Sequence, residues 1–510
     1  MRAPTLALLI LLPLASLAQD ASFYSPGGWP TLHQGPDNRR AVDVEVLEKR
    51  YRVWHALAGA SVLTAPVTSP DGRQLYVTTG LAAGASNLHS FSIDGELLWQ
   101  AAPWRSADEG VDACAILSSP IVDTDGDVYI NDCNQLFAFR PDGSIKWILP
   151  LPAPREDDWA AAGDHPVNAF TTAAFSADGH IVGVTNFGDV LVVDRDSGNV
   201  LNEPYRLPAV LSPYSDLVPM PESLLEQDLM DPNFREWTWQ LIFGGMMRSA
   251  NTPAIAANDR VFIVGSSARA GIGALWGLDL VTAGDGLRVR EAFSTEIGIG
   301  SGSSPALSPA QDQAYVCDEE GWFYAIDTAS GEVRWRVQTD ATAGAAAVGA
   351  DGIIYALQDT RRPVVAIAPS GEVLWQSDIS ALSRALPSSW LLGDPVGQAN
   401  GNPVVTNDAV LVPVIFGYEL PLLGATVPVT SHVVALDLRT GAGLSLLAPL
   451  PDDSSGITAV LPDGTLINSL GATLTSAVAP LKPLVDWLLP GDLEMLAARG
   501  GIQVALPLQE

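Results

Sequence analysis

The sequence contains little cysteine and little lysine. Its 510 residues include 3 cysteines, too few for a framework of several disulfides, and they form neither an adjacent pair nor a CxxCH motif for attached haem. Lysine occurs only at Lys49, Lys146 and Lys482, and the formal net charge is -31. This balance argues against a basic surface for nucleic acid or an anionic membrane, and it favours solubility.

Long apolar runs are equally scarce. The run LALLILLPLASLA follows Arg2 and ends in the small residues Ser16 and Ala18, a pattern typical of a cleavable signal peptide over residues 1–18. No cysteine follows the run to carry a lipid anchor, and no later segment has about 18 uninterrupted apolar residues. We therefore expect an exported chain, periplasmic or secreted, that begins at Gln19 after cleavage.

An internal repeat occupies most of the remaining sequence. Each unit has a start rich in small residues and proline, an apolar strand, a turn that contains Gly or Asp, two further strands and a fourth strand that often contains Trp. The clear copies are 64–99, 118–147, 303–335 and 345–375, and the weaker ones are 171–201, 251–280, 401–441 and 456–469. Eight such four-stranded sheets must pack on one another to bury both faces, as the blades of a propeller do.

The ends of the chain complement each other. The last unit lacks a fourth strand, whereas YRVWHAL (51–57) precedes the first unit and places Trp54 where other units carry their indole. We expect this N-terminal strand to complete the C-terminal blade and close the ring. The prediction is an all-β, eight-bladed β-propeller in a single domain, 19–510, with helical or irregular insertions on the rim at about 203–249, 379–399, 416–431 and 470–499.

The stretch AIDTASGEVRW (325–335) resembles the tryptophan docking repeat of the PQQ-like family of eight-bladed propellers, which includes quinoprotein alcohol dehydrogenases and the assembly factor BamB. WPTLHQGPDNRR (29–40) is similar to the segment before the first blade in that family. The resemblance covers nearly the whole mature chain and implies that the repeat tryptophans pack between neighbouring blades. These residues are Trp54, Trp99, Trp147, Trp335 and Trp375. An indole at a fixed place in many units suits structure better than catalysis.

The resemblance leaves the cofactor open. It implies PQQ with calcium for a dehydrogenase of the family, together with an adjacent cysteine pair, but this chain lacks that pair, and no position matches the calcium ligands or the catalytic Asp. The motif DTDGD (123–127) has EF-hand-like spacing, yet Asn134 stands where a bidentate Glu is needed, so we interpret it as a hairpin turn. The histidines have no ligand spacing. The sequence therefore predicts no metal site, and the catalytic residues are unknown.

Polar residues that lead into the first strand of a blade line the mouth of a propeller channel, where ligands bind. Here they are Asp112, His165, Asn168, Met247, Arg248, Asn251, Thr252, Gln398, Asn400 and Asn402. They either cap strand ends or form a polar funnel with Arg248 as an anion anchor. Separately, Cys114 and Cys133 flank the DTDGD hairpin, and a disulfide across its neighbouring strands is compatible with export.

Two classes of function fit these features. The first is a non-catalytic exported propeller, too acidic for nucleic acid, that binds a protein or a small-molecule ligand at the channel mouth and rim insertions. The second is a PQQ-dependent oxidoreductase with a divergent site. We expect a monomer in either case. The rim insertions act as lids or partner surfaces, or they pack on the propeller as local plugs.

Overall fold

The structure is a computed structural model. It describes residues 23, 24, 27–106, 109–158, 168–213, 229–232, 234, 235, 238, 246–249, 251–284, 286–300, 303–341, 344–358, 362–399, 401–420, 426–454 and 456–508. The segment predicted to be a signal peptide lies outside these residues, as does much of the 203–249 insertion. No helix in the described part of the chain is long and apolar enough to span a membrane.

Eight antiparallel sheets form the blades of a propeller, which confirms the predicted fold class. In blade 1 the second and third strands are almost entirely buried, whereas the outer strand is largely exposed. The same gradient follows from the ring, because neighbouring blades cover both faces of the middle strands. Continuous apolar runs therefore mark the middle strands, and alternating polar residues mark the outer ones.

The strands of each blade run from the channel outwards. Blades 1 to 4 comprise Val67–Thr68, Gln74–Thr78, Leu88–Ser92 and Leu97–Gln100; Ile121–Val122, Val128–Asn131, Gln135–Phe139 and Ile145–Pro150; Ala174–Phe175, Ile181–Val184, Asp189–Val193 and Tyr205–Arg206; Ala254–Ile255, Arg260–Ser266, Ile272–Ala283 and Gly286–Ile299. Blades 5 and 6 comprise Ala306–Leu307, Gln313–Cys317, Trp322–Asp327 and Val333–Gln338; Ala347–Val348, Ile354–Leu357, Val364–Ile367 and Val373–Gln376.

Blade 7 has a divided inner strand, Val396–Ala399 and Val404–Val405, followed by Val410–Glu419, Thr426–Leu436 and Gly443–Leu450. Blade 8 comprises Thr458–Val460, Leu466–Leu470, Gly501–Pro507 and Tyr51–Ala56. Outside the blades, Ser212–Pro213 pairs with Met246–Met247. The short helices are Ala113–Leu117 and Ala479–Leu481, both 3-10, and the α-helices Ser380–Ser383, Thr473–Val478 and Lys482–Leu488.

The N-terminal strand closes the ring, as predicted. Tyr51–Ala56 pairs antiparallel with Gly501–Pro507, and Trp54 lies opposite Val504. The indole Nε1 of Trp54 then donates to the carbonyl of Ile93 in blade 1, at 2.9 Å. The first and last parts of the chain therefore share one sheet, and that sheet docks on the first blade.

Strand direction gives the propeller two distinct faces. The turns after the first and third strands of every blade lie on one face, which we call the lower face. The turns after the second strands and the connections between blades lie on the upper face. All four predicted insertions leave the blades at the upper face.

The N-terminal segment lines the channel near the lower face. The structure describes its residues 24 and 27–42, which we call segment 24–42. It is hydrogen-bonded to one inner strand in each of blades 1 to 7. The Tyr24 hydroxyl accepts from Phe175 N of blade 3. Backbone carbonyls of the segment accept from the backbone N–H groups of the other six blades, in the pairs Trp29 with Thr68, Pro30 with Val122, Pro36 with Ile255, Asp37 with Leu307, Arg39 with Val348 and Arg40 with Val405. Three residues bend the segment with left-handed backbone, Gln34, Asn38 and Arg40, at φ 75°, 56° and 49°. The segment thus follows the ring and covers the inner edges of the blades.

Three of the insertions pack together on the upper face. We define this assembly, residues 379–399, 416–420, 426–431 and 470–499, as the rim body. Its apolar core contains Tyr418, Val427, Val429, Val478, Val485, Leu489 and Met495, with Leu386 and Leu392 packed against it. The insertions therefore stabilise one another instead of acting as separate loops.

One insertion differs from the expectation. Residues 416–419 and 426–431 were expected to be an irregular excursion, but they continue the second and third strands of blade 7 above the blade. A bulge between Phe416 and Gly417 shifts the register and lets the pairing continue. The cause is the alternating apolar pattern on both sides of the turn, which suits a strand buried against the rim body.

Candidate functional site

The predicted channel-mouth residues of blades 4 and 7 join neighbouring blades. Thr252 N donates to Ser304 Oγ of blade 5 at 3.2 Å, and Asn402 N donates to the Gly456 carbonyl before blade 8 at 3.2 Å. The side-chain amide of Asn251 donates to the Val264 carbonyl, at 3.3 Å, within blade 4. These contacts give the lead-in residues a clear part in holding the ring together.

Arg248 and Asn168 meet on the upper side of blade 3. Arg248 Nη1 lies 3.0 Å from Asp158 Oδ1, and Asn168 Nδ2 donates to Asp189 Oδ2 at 2.9 Å. Arg206 bridges the two carboxylates, at 2.9 Å from Asp158 and 2.6 Å from Asp189. The charge of Arg248 is therefore already paired, and the group is best described as an ion-pair cluster, which we call the blade 3 cluster.

The blade 3 cluster stabilises the ionised forms of its acidic and basic side chains. Burial opposes ionisation of Asp158, but hydrogen bonds from Arg155 N, Arg248 and Arg206 lower its pKa overall. Burial also opposes the charge of Arg206, but hydrogen bonds and the charges of Asp189 and Asp158 raise its pKa overall. Met247 is buried beside the cluster in the short strand that pairs with Ser212–Pro213.

Asp112 belongs to a buried carboxylate pair. Its Oδ1 accepts from Cys114 N at 2.8 Å, and its backbone N–H donates to Asp132 Oδ2 at 3.0 Å. Burial raises the pKa of Asp112, and burial together with the charge of Asp112 raises the pKa of Asp132. The pair therefore binds protons more readily than ordinary carboxylates do.

Cys114 and Cys133 form a disulfide, with Cα atoms 5.2 Å apart. Its place differs from the expected pairing across neighbouring strands. Cys114 lies in the 3-10 helix before blade 2, and Cys133 lies in the turn between the second and third strands of that blade. The two positions meet because both segments lie on the upper face. The third cysteine, Cys317, is buried and remains a thiol.

The other predicted residues are dispersed. Gln398 lies in the divided inner strand of blade 7, where its Oε1 accepts from Thr426 Oγ1 at 3.4 Å. His165 and Asn400 lie outside the described residues. The described members of the predicted channel-mouth set thus lie on blades 2, 3, 4 and 7. Among them, Asn168, Met247 and Arg248 lie together at the blade 3 cluster.

A cleft between blades 4 and 5 was missed by the sequence analysis. Its volume is about 340 Å³, and its lining includes Glu296, Glu320, Trp322 and Arg336. The Arg336 guanidinium lies 4.7 Å from the centre of the Trp322 ring. Glu296 is paired with Arg269, at 2.5 Å. No motif announces this cleft, because residues of two different repeat units form it.

Known proteins support the architecture. Residues 239–467 match the family model of the outer membrane protein assembly factor BamB. A solved europium-containing methanol dehydrogenase is similar at a TM-score of 0.57 and 12% identity, over 95% of this chain and 98% of that chain. BamB from Moraxella catarrhalis gives a TM-score of 0.51 at 13% identity, over 90% of this chain and 99% of that chain. The chain has the eight-bladed β-propeller fold, and its residues 239–467 resemble the BamB family model.

A quinohemoprotein alcohol dehydrogenase from Pseudomonas putida is also similar to this propeller, with a TM-score of 0.52 and 11% identity over 95% of this chain and 82% of that chain. No curated protein sequence matches the chain. At such low identities these similarities establish the fold, and the named activities remain those of the other proteins.

The described residues contain no cluster of three or more carboxylates of the kind that could hold calcium beside PQQ. Calcium needs several carboxylate or carbonyl oxygens. Asp452 already accepts from Arg499 N and Gly500 N, and Asp318 accepts from Glu320 N and Trp322 N. In the described part of the chain, the residues grouped closely enough to ligate a metal are Asp112, Cys114 and Cys133, whose two sulfurs are joined in the disulfide.

The DTDGD motif at 123–127 forms a turn. Asp123 Oδ1 accepts from Asp125 N and Asp127 N, at 3.0 and 2.9 Å, and Asp123 Oδ2 accepts from Arg195 Nη1 at 2.8 Å. Asp127 pairs with Lys146 at 2.7 Å. These contacts use the carboxylates to close the hairpin and to join blade 2 to blade 3.

Proposed function

We propose that this propeller is an exported, periplasmic or secreted, binding module that holds a partner protein on its rim body. The carrying observation is that two tryptophans of the rim body are turned to solvent, with Trp390 92% and Trp487 80% exposed. Tryptophan is enriched among the residues that dominate binding energy at protein interfaces. Leu391 and Leu484 extend the apolar surface beside them, at 46% and 61% exposure.

The rim body holds these side chains on a packed support. Leu392 lies two residues after Trp390 and packs against the apolar core of the rim body, and Val485 in that core lies two residues before Trp487. The Tyr418 hydroxyl donates to the Pro387 carbonyl at 2.6 Å, which ties the 379–399 insertion to blade 7. Preorganised anchors lose less conformational entropy on binding.

Charge indicates the chemistry of the partner. Exposed carboxylates of the rim body include Asp394, Asp492 and Glu494, and Lys482 already pairs with Asp486 at 2.9 Å. A partner that buries the two indoles must therefore tolerate a negative rim. We propose an apolar segment flanked by basic residues, since opposite charge speeds association and selects partners. Similarity to the BamB family model, described as an outer membrane protein assembly factor, supports a protein ligand.

Site-specific photo-crosslinking tests this function. A photoreactive phenylalanine analogue placed at 390 or 487 should give the same discrete protein adduct in the source cells. The matched control is position 98, because Leu98 is 46% exposed on the outer strand of blade 1, away from the rim body. Purified adduct partner should bind the wild-type chain and lose affinity for the Trp390→Ser/Trp487→Ser variant. An identical adduct at position 98, or unchanged affinity of the double variant, would contradict the proposal.

A second function is supported by fold alone. Two of the similar solved structures are named as dehydrogenases, a methanol dehydrogenase and a quinohemoprotein alcohol dehydrogenase. A PQQ-dependent oxidoreductase would need a different set of calcium ligands, because carboxylates beside the blades such as Asp318 and Asp452 accept backbone hydrogen bonds in turns. We rank this function second for that reason.

A further inference from the structure

The channel contains a cationic side chain that no acid among the described residues neutralises. In segment 24–42, Thr31, His33, Gly35 and Asp37 are buried, whereas the intervening Leu32, Gln34 and Pro36 are only partly so. Because of this alternation, one side of the segment faces the interior of the propeller. Arg40, later in the same segment, is completely buried.

Arg40 has no acceptor among the described residues. Its Nε, Nη1 and Nη2 are all buried without a hydrogen-bond partner. The nearby carboxylate of Asp37 pairs with the neighbouring Arg39 instead, at 2.5 Å. Burial lowers the pKa of Arg40 to about 9, with no carboxylate acting to restore it. The guanidinium is still charged at neutral pH, and an unpaired buried charge is strongly unfavourable.

Two further donors of the same segment lack acceptors. Both ring nitrogens of His33 and Nε1 of Trp29 are buried without a partner in the described part of the chain. Burial, and then the positive charge of Arg40, lower the pKa of His33 well below its usual value, so the imidazole is neutral and carries one N–H. The two side chains therefore interact electrostatically, and both lie buried on the same segment.

Asn38 shows that this side of the segment reaches up the channel. Its Nδ2 donates to the Pro305 carbonyl at 2.9 Å and to the Pro253 carbonyl at 3.3 Å, both just before inner strands. The backbone carbonyl of Arg40 bonds to Val405 of blade 7, at 3.0 Å. The orphan donors therefore lie inside the ring of inner strands.

We propose that Arg40 and His33 bind a small inorganic oxyanion, of the phosphate or sulfate class, inside the channel. A guanidinium presents paired N–H donors that match two oxygens of such an anion, and a neutral imidazole adds one donor. A cation would meet like charge, and a neutral ligand would leave the charge uncompensated. Complete burial of Arg40 limits the ligand to a small ion. This site is independent of partner binding at the rim body.

Anion analysis and thermal unfolding of the full mature chain test the site. After exhaustive dialysis into a buffer with only bulky organic anions, sodium phosphate and sodium sulfate are titrated, with sodium chloride at equal ionic strength as the reference. We expect phosphate or sulfate to raise the melting temperature with saturation, and ion chromatography of the denatured complex to give about one oxyanion per chain.

Variants distinguish a built site from a general salt effect. Arg40→Gln should weaken the apparent affinity for phosphate or sulfate about tenfold or more. Arg39→Gln, the neighbour paired with Asp37, should leave it unchanged. If Arg40→Gln does not fold, His33→Leu supplies the second test, because it removes one donor without removing charge and should weaken affinity severalfold.

Two results would overturn the site. The first is a melting temperature that rises no more with phosphate or sulfate than with chloride in the wild-type chain. The second is an equal rise in the wild type and in every folded variant, because that would make the effect one of general salt. Neither result bears on the rim body, so the proposed function would stand.

Discussion

At the scale of single residues, tryptophan and glycine form the joints between blades. Trp335 Nε1 donates to the Pro369 carbonyl of blade 6 at 2.9 Å, and a Cβ added to Gly371 would lie 2.8 Å from the Trp335 ring. The same pairing joins Trp54 to Gly95, and the others in the set are Trp99 with Gly143, Trp147 with Gly198 and Trp375 with Gly441. In blade 4, Phe293 takes the tryptophan position, against Gly331.

A pair of glycine substitutions measures this joint. Gly371 and Gly393 have similar positive φ angles, 90° and 83°, but a Cβ at Gly393 would meet nothing within 4 Å. Both changes to Ala should cost about 1 kcal/mol of stability for the backbone. Gly371→Ala should cost about 1–3 kcal/mol more, because the methyl group displaces the indole. Equal losses in chemical denaturation would contradict the packing account.

The carboxylate pair of blade 2 predicts a pH effect. The pKa values of Asp112 and Asp132 are raised in the folded chain, so the folded state holds more protons than the unfolded state between the two sets of values. Stability from this pair is therefore highest at acidic pH and falls as pH rises from about 4 to about 8.

Asp112→Asn should flatten that fall by roughly 2 kcal/mol in the free energy of unfolding, because one carboxylate and its repulsion of Asp132 are removed. The exposed Asp142 of the same blade supplies the control, since hydrogen bonds from Ser144 lower its pKa. Asp142→Asn should keep the wild-type slope. A wild-type slope in Asp112→Asn, measured by urea unfolding at each pH, would refute the assignment.

At the scale of elements, we expect deletion of the strand Tyr51–Ala56 to destabilise the whole propeller. This segment supplies the outer strand of blade 8 and places Trp54 against blade 1. Deletion of residues 41–60 should therefore open the ring and unfold the protein. Circular dichroism during heating checks this, and a truncated chain with the wild-type melting transition would show that the strand is dispensable.

The blades and the closing strand could be predicted from the sequence because repeated side chains mark them. Gly turns and repeated indoles such as Trp335 identified the blades, and Trp54 identified the closing strand. The path of segment 24–42 was not predictable in the same way, because its contacts with seven blades are made mainly by backbone carbonyls. The burial of Arg40 was not predictable either, because nothing in its local sequence shows that the ring will cover it.

The candidate site was less predictable than the fold. Position relative to the repeats made Arg248 a candidate for the channel mouth, but its pairing with Asp158 depends on a segment between blades 2 and 3. The 379–399 and 470–499 insertions were recognised separately. Their common core, with Leu392 and Val485, arises only when the ring brings blades 6 to 8 together.

At the scale of the whole molecule, the two faces have different characters. The upper face carries the rim body with Trp390 and Trp487 exposed, and the lower part of the channel is lined by a segment that contains Arg40. Beside the blades, carboxylates such as Asp452 and Asp158 hold turns and ion pairs. This distribution supports the proposal that the upper face binds a partner.

The central proposal is that this propeller is a binding module and not a PQQ-dependent oxidoreductase. Reconstitution with PQQ and Ca²⁺ tests it most directly. The purified mature chain is incubated with both and assayed for dye reduction with a panel of alcohols and sugars, beside a quinoprotein dehydrogenase treated in the same way. The account predicts neither stoichiometric PQQ binding nor substrate-dependent dye reduction. Tight PQQ binding with turnover would contradict it and establish the oxidoreductase function.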